Sequence, residues 1–370
     1  MKIMTILGTR PEIIRLSRVI ARLEESSVVT HVLTHTGQNY DYELNEIFFK
    51  DLGLRKPDHF LACDTSSIGH VYGDILIKTE SVLEEERPDA VLILGDTNSA
   101  LAAIIARRMH IPVFHMEAGN RSFDWRVPEE TNRRIVDHIS DVNLAYTEHA
   151  RANLLREGLH PQRVYVTGSP MFEVLNHYRP QIDASNVLQR ENLVSKKYFL
   201  VSLHREENVD NASNLGQLLD GLEQIANQQN LDVLVSTHPR TKKRLEQYSL
   251  GAGDTSRIRF AKPFGFHDYN KLQIESSCVI SDSGTISEES SMLRFPAITP
   301  REWIERPEAM DAGAIIMTGI DPDSIVRAAQ YAVEFGAPIE MPQGYEVSNC
   351  SDRVLKLLIG RPRQLSVTQR

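Results

Sequence analysis

Two successive series of short β-rich runs, each run separated from the next by a longer helix-prone span, constrain this chain more than any other feature. Strands that alternate with helical spans pair in parallel and need helices on both faces, which specifies α/β domains built on doubly wound sheets. In the first series, residues 3–7, 28–33, 90–94, 113–115 and 142–144 read as buried parallel strands. Between them, 68–83 carries apolar residues at helical spacing and the Ala-rich 99–108 is helix-prone. A polar, poorly patterned stretch from 178 to 197 precedes the second series, with strands expected at 198–202, 233–236, 257–261, 278–281 and 297–299. The expected fold is therefore two Rossmann-like domains, residues 1–177 and 178–349, with 350–370 as a C-terminal segment whose amphipathic part, 352–358, packs back on the first domain. A length of 370 residues is too great for one ordinary core and suits two. Two such domains facing across a cleft would hold a ligand between the carboxyl ends of both sheets.

Composition narrows the function classes. The chain is 41% apolar and 25% charged, as in soluble globular proteins, and has no repeat or low-complexity tract. Its opening apolar run is too short for a signal-peptide core, and no run approaches the roughly 18 residues of a membrane span, so a cytoplasmic location without membrane contact is expected. Cys63, Cys278 and Cys350 lack CxxC spacing, which argues for core thiols rather than disulfides or a zinc site. A net charge of −9 disfavours nucleic acid as a partner but leaves room for a small anionic ligand met by local basic loops. Neither GxGxxG after the first strand, nor GxxxxGK[ST], nor HExxH occurs, so no dinucleotide fingerprint, P-loop or metal motif is present and no cofactor is expected.

Several charged groups stand where strands end. In Leu7-Gly8-Thr9-Arg10-Pro11-Glu12 a Gly turn displays Arg10 at a helix start, either as an anion contact or as a solvated residue of a plain turn. Asp96, Glu117 and Glu129 follow strands or open a helix; each alone could be a cap or a helix-dipole partner, whereas three together offer a base and an acid in one pocket. His204-Arg205 and His238-Pro239-Arg240 end strands of the second series and suit phosphate contact. Ser281-Asp282-Ser283-Gly284-Thr285 leads into a helix whose exposed N–H groups suit an anion, with Glu289 one turn in and placed for hydroxyl groups. Thr285 and Glu288 have capping-box spacing, so Glu288 reads as structural. Arg306 lies in another charged loop at a strand end.

The stretches GTRPE, LGDTNS, HMEAGNR, PEETNRR, HREEN, SDSGTISEES and ERPEAMDAG, spread over nearly the whole chain, resemble the non-hydrolysing UDP-N-acetylglucosamine 2-epimerase family. That resemblance implies a GT-B-like fold, UDP in the interdomain cleft, no metal or redox cofactor, and a homodimer. It implies Asp96, Glu117 and Glu129 as catalytic carboxylates with His204 assisting at the diphosphate. Arg10, Arg15, Arg205, His238, Tyr269, Ser283, Gly284, Thr285, Glu289 and Arg306 are the residues it implies for UDP and sugar. The C2 proton of an acetamido sugar is scarcely acidic, so its removal is coupled to departure of UDP from C1, giving a glycal to which UDP adds back.

The chain also departs from the main N-acetylglucosamine branch. Arg15 stands where that branch usually has Lys, and 35–42 stand where bacterial members carry a glutamine-rich effector segment. The wording of 237–244 differs and the loop before Pro128 is shorter. These features resemble the sub-branch that converts UDP-2-acetamido-2,6-dideoxy-L-talose to UDP-N-acetyl-L-fucosamine for capsule or O-antigen synthesis. Epimerisation of UDP-N-acetylglucosamine to UDP-N-acetylmannosamine, a hydrolysing relative, and a glycosyltransferase or non-turning sensor are the other readings.

Overall fold

The computed structural model describes residues 1–37, 48–250, 257–338 and 340–360. The chain divides into two compact units, one formed by Met1–His177 with the stretch from Gln343 onward, the other by Tyr178–Pro342. Both are parallel α/β units of the Rossmann kind, as expected.

In the first unit the strands are β1 (Lys2–Leu7), β2 (Thr30–His35), β3 (His59–Phe60), β4 (Ala90–Leu94), β5 (Val113–Met116), β6 (Val142–Ala145) and β7 (Val164–Val166), in the order β3-β2-β1-β4-β5-β6-β7. Every residue of β4, Ala-Val-Leu-Ile-Leu, is buried, the unbroken apolar run of a strand covered on both faces. The order reverses between β1 and β4, and ligands of open α/β sheets bind at such a reversal, beyond the carboxyl ends. Helix α1 (Arg10–Glu25) leaves the end of β1, and α2 (Pro128–Ile139) leads into β6.

The second unit repeats the plan with β8 (Tyr198–Ser202), β9 (Asp232–Ser236), β10 (Ile258–Ala261), β11 (Cys278–Ser281), β12 (Ala297–Thr299) and β13 (Ile316–Met317), ordered β10-β9-β8-β11-β12-β13. Its reversal falls between β8 and β11. Helices α3 (Pro239–Gln247), α4 (Phe266–Glu275) and α5 (Ile286–Leu293) lie after β9, β10 and β11.

Several expectations shift. The second strand runs two residues later than its apolar content suggested: Val28 is exposed, whereas Thr34 and His35 are buried and His35 pairs in register with Leu7. The helix expected over 99–108 opens as a 3-10 turn, Asn98–Leu101, before the α-helix Ala102–Arg108. The edge strands β3 and β13 have two residues each, too few to show a period. The polar stretch 178–197, in which no pattern is readable, forms two short helices, Arg179–Ala184 and Val187–Arg190, that bury Ile182 and Val187. Ser185 and Arg190 both bond Asp268 of α4, and Lys196 Nζ caps the end of that helix at the Ser276 carbonyl, 2.9 Å away.

The chain returns to the first unit at Gln343, seven residues before the expected point of 350. Ser169 N–H donates to the Gly344 carbonyl at 3.0 Å, and Gly344 has φ +93° with the Tyr146 carbonyl 2.7 Å from where a Cβ would stand, so the crossing requires glycine there. Helix α6 (Cys350–Gly360) then docks beside α1: Cys350 Sγ meets the Gly168 carbonyl at 3.4 Å, Ser351 N–H donates to Glu173 at 2.8 Å, and Arg22 pairs with Asp352 at 3.3 Å. All three cysteines are buried free thiols. Among the described residues no helix is long and apolar enough to cross a membrane.

Candidate active site

In the first unit the charged groups at the reversal are carboxylates held by arginines. After β4, Gly95 with φ +76° turns the chain and presents Asp96, whose Oδ2 accepts from Arg133 Nε at 3.0 Å and Nη2 at 2.6 Å. Arg133 is nearly fully buried and donates its third bond to Glu130 at 2.9 Å, while the Asp96 side chain keeps 23% of its surface exposed. Asn132 Nδ2 fixes the same turn through the Asp96 carbonyl at 3.0 Å.

Glu117 follows β5 with φ +64°, a left-handed backbone that a non-glycine residue adopts at a cost of about 1 to 3 kcal/mol and that gathers at functional sites. Its Oε2 accepts from Arg15 Nη1 at 3.0 Å and its Oε1 from Asn120 at 3.3 Å. Arg15 is buried on α1 with its guanidinium 5.8 Å from the Tyr146 ring, so this cation positions Glu117 from beneath. Arg10 begins α1 with its guanidinium 5.8 Å over the Phe48 ring. Glu129 is the second residue of α2, half-buried at an N-terminus whose dipole favours its charge.

Below these loops lies a buried ionic chain absent from the sequence reading. His115 of β5 bonds the Gly95 carbonyl through Nε2 at 2.7 Å and Asp137 of α2 through Nδ1 at 2.9 Å. Asp137 also accepts from Gly119 N–H at 3.2 Å and from Arg121 at 2.7 Å, and Arg121 reaches Glu157 at 2.6 Å and the Asn120 carbonyl at 2.7 Å. Burial alone would pull the His115 pKa down, yet the adjoining Asp137 carboxylate raises it overall, and both ring nitrogens face acceptors, as an imidazolium requires. Asp137 is lowered for the complementary reason: burial opposes its charge, but His115 and Arg121 outweigh it. The chain links the Gly95-Asp96 turn to the Glu117–Asn120 loop.

In the second unit the polarity is inverted, and a carboxylate holds the basic group. Asp282 follows β11, is fully buried, and accepts from the backbone N–H groups of His204 at 3.1 Å and Arg205 at 3.0 Å and from Asn208 at 3.0 Å. Its Oδ1 lies 3.0 Å from His204 Nδ1, leaving Nε2 as the outward nitrogen of a side chain 35% exposed. Burial raises the Asp282 pKa, but His204 and the donors prevail and hold it at about 2. His238 caps α3, accepting the Arg240 N–H at Nδ1 at 3.2 Å, with its ring 5.7 Å from that of His204.

The Ser283-Gly284-Thr285 turn is partly self-bonded: the Ser283 and Thr285 hydroxyls lie 3.0 Å apart, and Ser283 N–H donates to Ser281 Oγ at 3.1 Å. The capping box is not formed, since Thr285 has helical backbone and no side-chain cap bond, and Glu288 is taken by Arg306 instead. Arg306 also donates to the Gly284 carbonyl at 2.8 Å, so this buried cation braces the turn from within the protein. Arg205 Nη2 lies 3.6 Å from Glu305, itself held by Arg301 through two bonds of 2.7 and 2.8 Å. Glu289 is buried on α5 and accepts from Gln273 at 2.6 Å. Burial drives the pKa of Tyr269, on α4, well up against the lowering influence of the neighbouring Ser202 and Ser281 hydroxyls. Among the described residues no His, Cys, Asp and Glu group is placed to hold a metal ion.

Of the residues singled out in the sequence, Asp96, Glu117, Arg10 and Arg15 thus belong to the reversal loops of the first unit, with Glu129 opening α2. His204, Arg205, Ser283, Gly284, Thr285 and Glu289 belong to the reversal of the second, while Arg306 braces it, Tyr269 lies on α4 and His238 caps α3. Sequence reasoning missed Arg133, His115, Asp137, Arg121 and Asp282. All but Asp137 were visible only as letters inside matching motifs.

Two doubly wound sheets, each with charged loops at its own reversal point, define a two-domain α/β protein of the Rossmann kind. A family profile described as UDP-N-acetylglucosamine 2-epimerase matches residues 21–359, and the chain belongs to that family of UDP-sugar 2-epimerases, which are isomerases. It is similar to the UDP-N-acetylglucosamine 2-epimerase of Rickettsia bellii, at 44% identity and a TM-score of 0.91 over 100% of this chain and 99% of that one. The Methanocaldococcus jannaschii UDP-GlcNAc 2-epimerase, solved in complex with UDP-GlcNAc and UDP, is 35% identical over 97% of this chain and 99% of its own, again with a TM-score of 0.91. The Pseudomonas aeruginosa UDP-2,3-diacetamido-2,3-dideoxy-D-glucuronate 2-epimerase is 34% identical over 89% of this chain and 92% of its own length.

Proposed function

We propose that this enzyme inverts C2 of a UDP-linked 2-acetamido sugar by eliminating and re-adding UDP, with the carboxylate loops of the first unit acting on the sugar and the Ser283-Gly284-Thr285 turn of the second holding the diphosphate. The observation that carries the reading is the inverted polarity of the two reversals: Arg133 and Arg15 hold Asp96 and Glu117 in place, whereas Asp282 holds His204. One carboxylate takes the C2 proton while the C1–O bond breaks and its electron pair leaves with UDP. A second carboxylate returns a proton to the opposite face of C2, and the β-phosphate oxygen re-forms the bond to C1. Glu129 completes the acidic set. Departure of UDP builds negative charge on the diphosphate, and His204, Arg10, Arg205, His238 and the Ser283-Gly284-Thr285 turn stabilise it more in the transition state than in the ground state. Glu289 accepts from the ribose hydroxyls, and Tyr269 and Arg306 maintain the turn. The enzyme functions without metal or redox cofactor, as a cytoplasmic homodimer.

For the sugar we assign the UDP-2-acetamido-2,6-dideoxy-L-talose and UDP-N-acetyl-L-fucosamine pair, in capsule or O-antigen synthesis. Arg15 in place of Lys supports it, and so does the shortened loop before Pro128, which displays Phe123 and Trp125, 65% and 68% exposed, with Arg134 5.0 Å from the Trp125 ring. Exposed apolar side chains in that loop suit a 6-methyl group. Conversion of UDP-N-acetylglucosamine is the second reading, favoured by the jannaschii enzyme solved with that sugar nucleotide. Both sugars are incubated with the enzyme in D2O and C2 deuterium is read by mass spectrometry. Faster exchange of the L-talo sugar supports the assignment, exchange of the gluco sugar alone replaces it with the second reading, and exchange of neither refutes the proposed chemistry.

A further inference from the structure

Glu12 is a buried carboxylate to which the reaction above assigns nothing. It is the third residue of α1, where a Glu of a capping box reaches back to one backbone N–H and otherwise faces water. Here the side chain is 2% exposed and takes three donors. Its Oε2 accepts from Gly8 N–H at 2.6 Å and Thr9 N–H at 2.7 Å, and its Oε1 bonds the Thr97 hydroxyl at 2.6 Å. Gly8 and Thr9 form the turn that ends in Arg10, while Thr97 follows Asp96, so one carboxylate joins the turns leaving β1 and β4. Packing at the join is tight: a Cβ on Gly8 would stand 2.1 Å from both Ser99 Oγ and Thr36 Oγ1, whose hydroxyls bond one another at 2.8 Å.

We infer that Glu12 is a positioning residue of the reaction, a clamp that sets Asp96 relative to Arg10 through the Thr97 hydroxyl. The inference rests on the roles proposed for Asp96 and Arg10. Burial raises the Glu12 pKa from 4.5 to about 7 against the lowering effects of Thr97, Gly8 and Thr9, so its protonation changes across the neutral range. In the charged form Thr97 donates to Glu12; in the neutral form the carboxyl donates to Thr97 and the hydroxyl proton must turn elsewhere, beside Asp96. Charged and titratable groups on the adjoining elements include Arg10 and Arg15 of its own helix, Glu117 paired with Arg15, Asp96 with its partner Arg133, and His35 of β2. Glutamine reproduces the neutral arrangement, with its oxygen accepting from Gly8 and Thr9 and its amide donating to Thr97, but cannot titrate.

Glu12→Gln, Glu12→Ala, Thr97→Val and Asp96→Asn are compared by C2 deuterium exchange with the better of the two sugars from pH 5.5 to 9, alongside UDP affinity. The clamp expects Glu12→Ala and Thr97→Val to lose about 10- to 100-fold in kcat, as small misplacements of reacting groups do, with UDP affinity within about twofold of wild type. Glu12→Gln is expected to recover most of that loss near neutrality and to lack the wild-type inflection near pH 7. Wild-type kcat in Glu12→Ala and Thr97→Val, while Asp96→Asn is inactive, overturns the clamp alone. Equal loss in Glu12→Gln and Glu12→Ala with an unchanged pH profile also overturns it, reducing Glu12 to a structural cap. Full exchange in Asp96→Asn overturns the underlying reading of the carboxylates instead.

Discussion

The two units share a strand order and differ in what their reversal points expose. In the first, buried Arg133 and Arg15 hold partly exposed Asp96 and Glu117; in the second, buried Asp282 holds partly exposed His204. One scaffold thus presents acids or a base according to which partner it buries, because the buried ion fixes the orientation and charge of the outer one. Each arrangement buries charge at a cost that a purely structural core would avoid. Proton abstraction and diphosphate stabilisation, the roles proposed for the two sites, need opposite fields, and exchanging the inner and outer ions on a repeated fold would supply both.

The comparison breaks most sharply at the outer carboxylates. Asp96→Asn and Glu117→Gln are expected to reduce C2 exchange by about 10³-fold or more while leaving UDP affinity within a few-fold, which calorimetric titration measures. Next is the inner acid of the second unit: Asp282→Asn leaves His204 without its orienting partner and should lower kcat by about 100-fold. The depressed Asp282 pKa gives this variant a second signature. A carboxylate whose folded value lies below its usual 3.8 contributes stability above that usual value and loses it as pH falls toward about 2. Acid unfolding followed by circular dichroism should therefore be flatter over that window in Asp282→Asn than in wild type.

Beneath the acids, Asp137→Asn removes one partner of a buried ionic chain and is expected to destabilise the first unit by about 3 to 5 kcal/mol in urea unfolding. The smallest effect falls on specificity. Trp125→Ala should shift the ratio of kcat/KM for the 6-deoxy and 6-hydroxy sugars by about 10-fold or less, since apolar contacts to one methyl discriminate weakly.

The alternation of strands and helical spans made both sheets readable, and the strand-end positions of Asp96, Glu117 and His204 followed from it. Their partners did not, for a physical reason. Arg133 bonds Asp96 across 37 residues, Arg15 bonds Glu117 across 102, and Asp282 bonds the His204 N–H across 78, so each pair exists only after the sheet has formed. Local spacing misled at Thr285 and Glu288, where a capping box fitted the letters but Arg306, 18 residues from Glu288, supplied a charged donor and took the carboxylate. At 178–197 the polar, poorly patterned sequence showed no element, yet two buried side chains and a salt bridge to Asp268 suffice to dock the stretch on α4.

The proposed reaction requires cleavage of the bond between C1 and the diphosphate. That cleavage is measured by following 18O placed in the bridging oxygen between C1 and the β-phosphorus of the UDP-sugar, using 31P NMR. Elimination frees the β-phosphate to rotate, so wild-type enzyme should scramble the label into the non-bridging positions as it epimerises, and Asp96→Asn should do neither. Epimerisation with the label still wholly in the bridge would contradict the account.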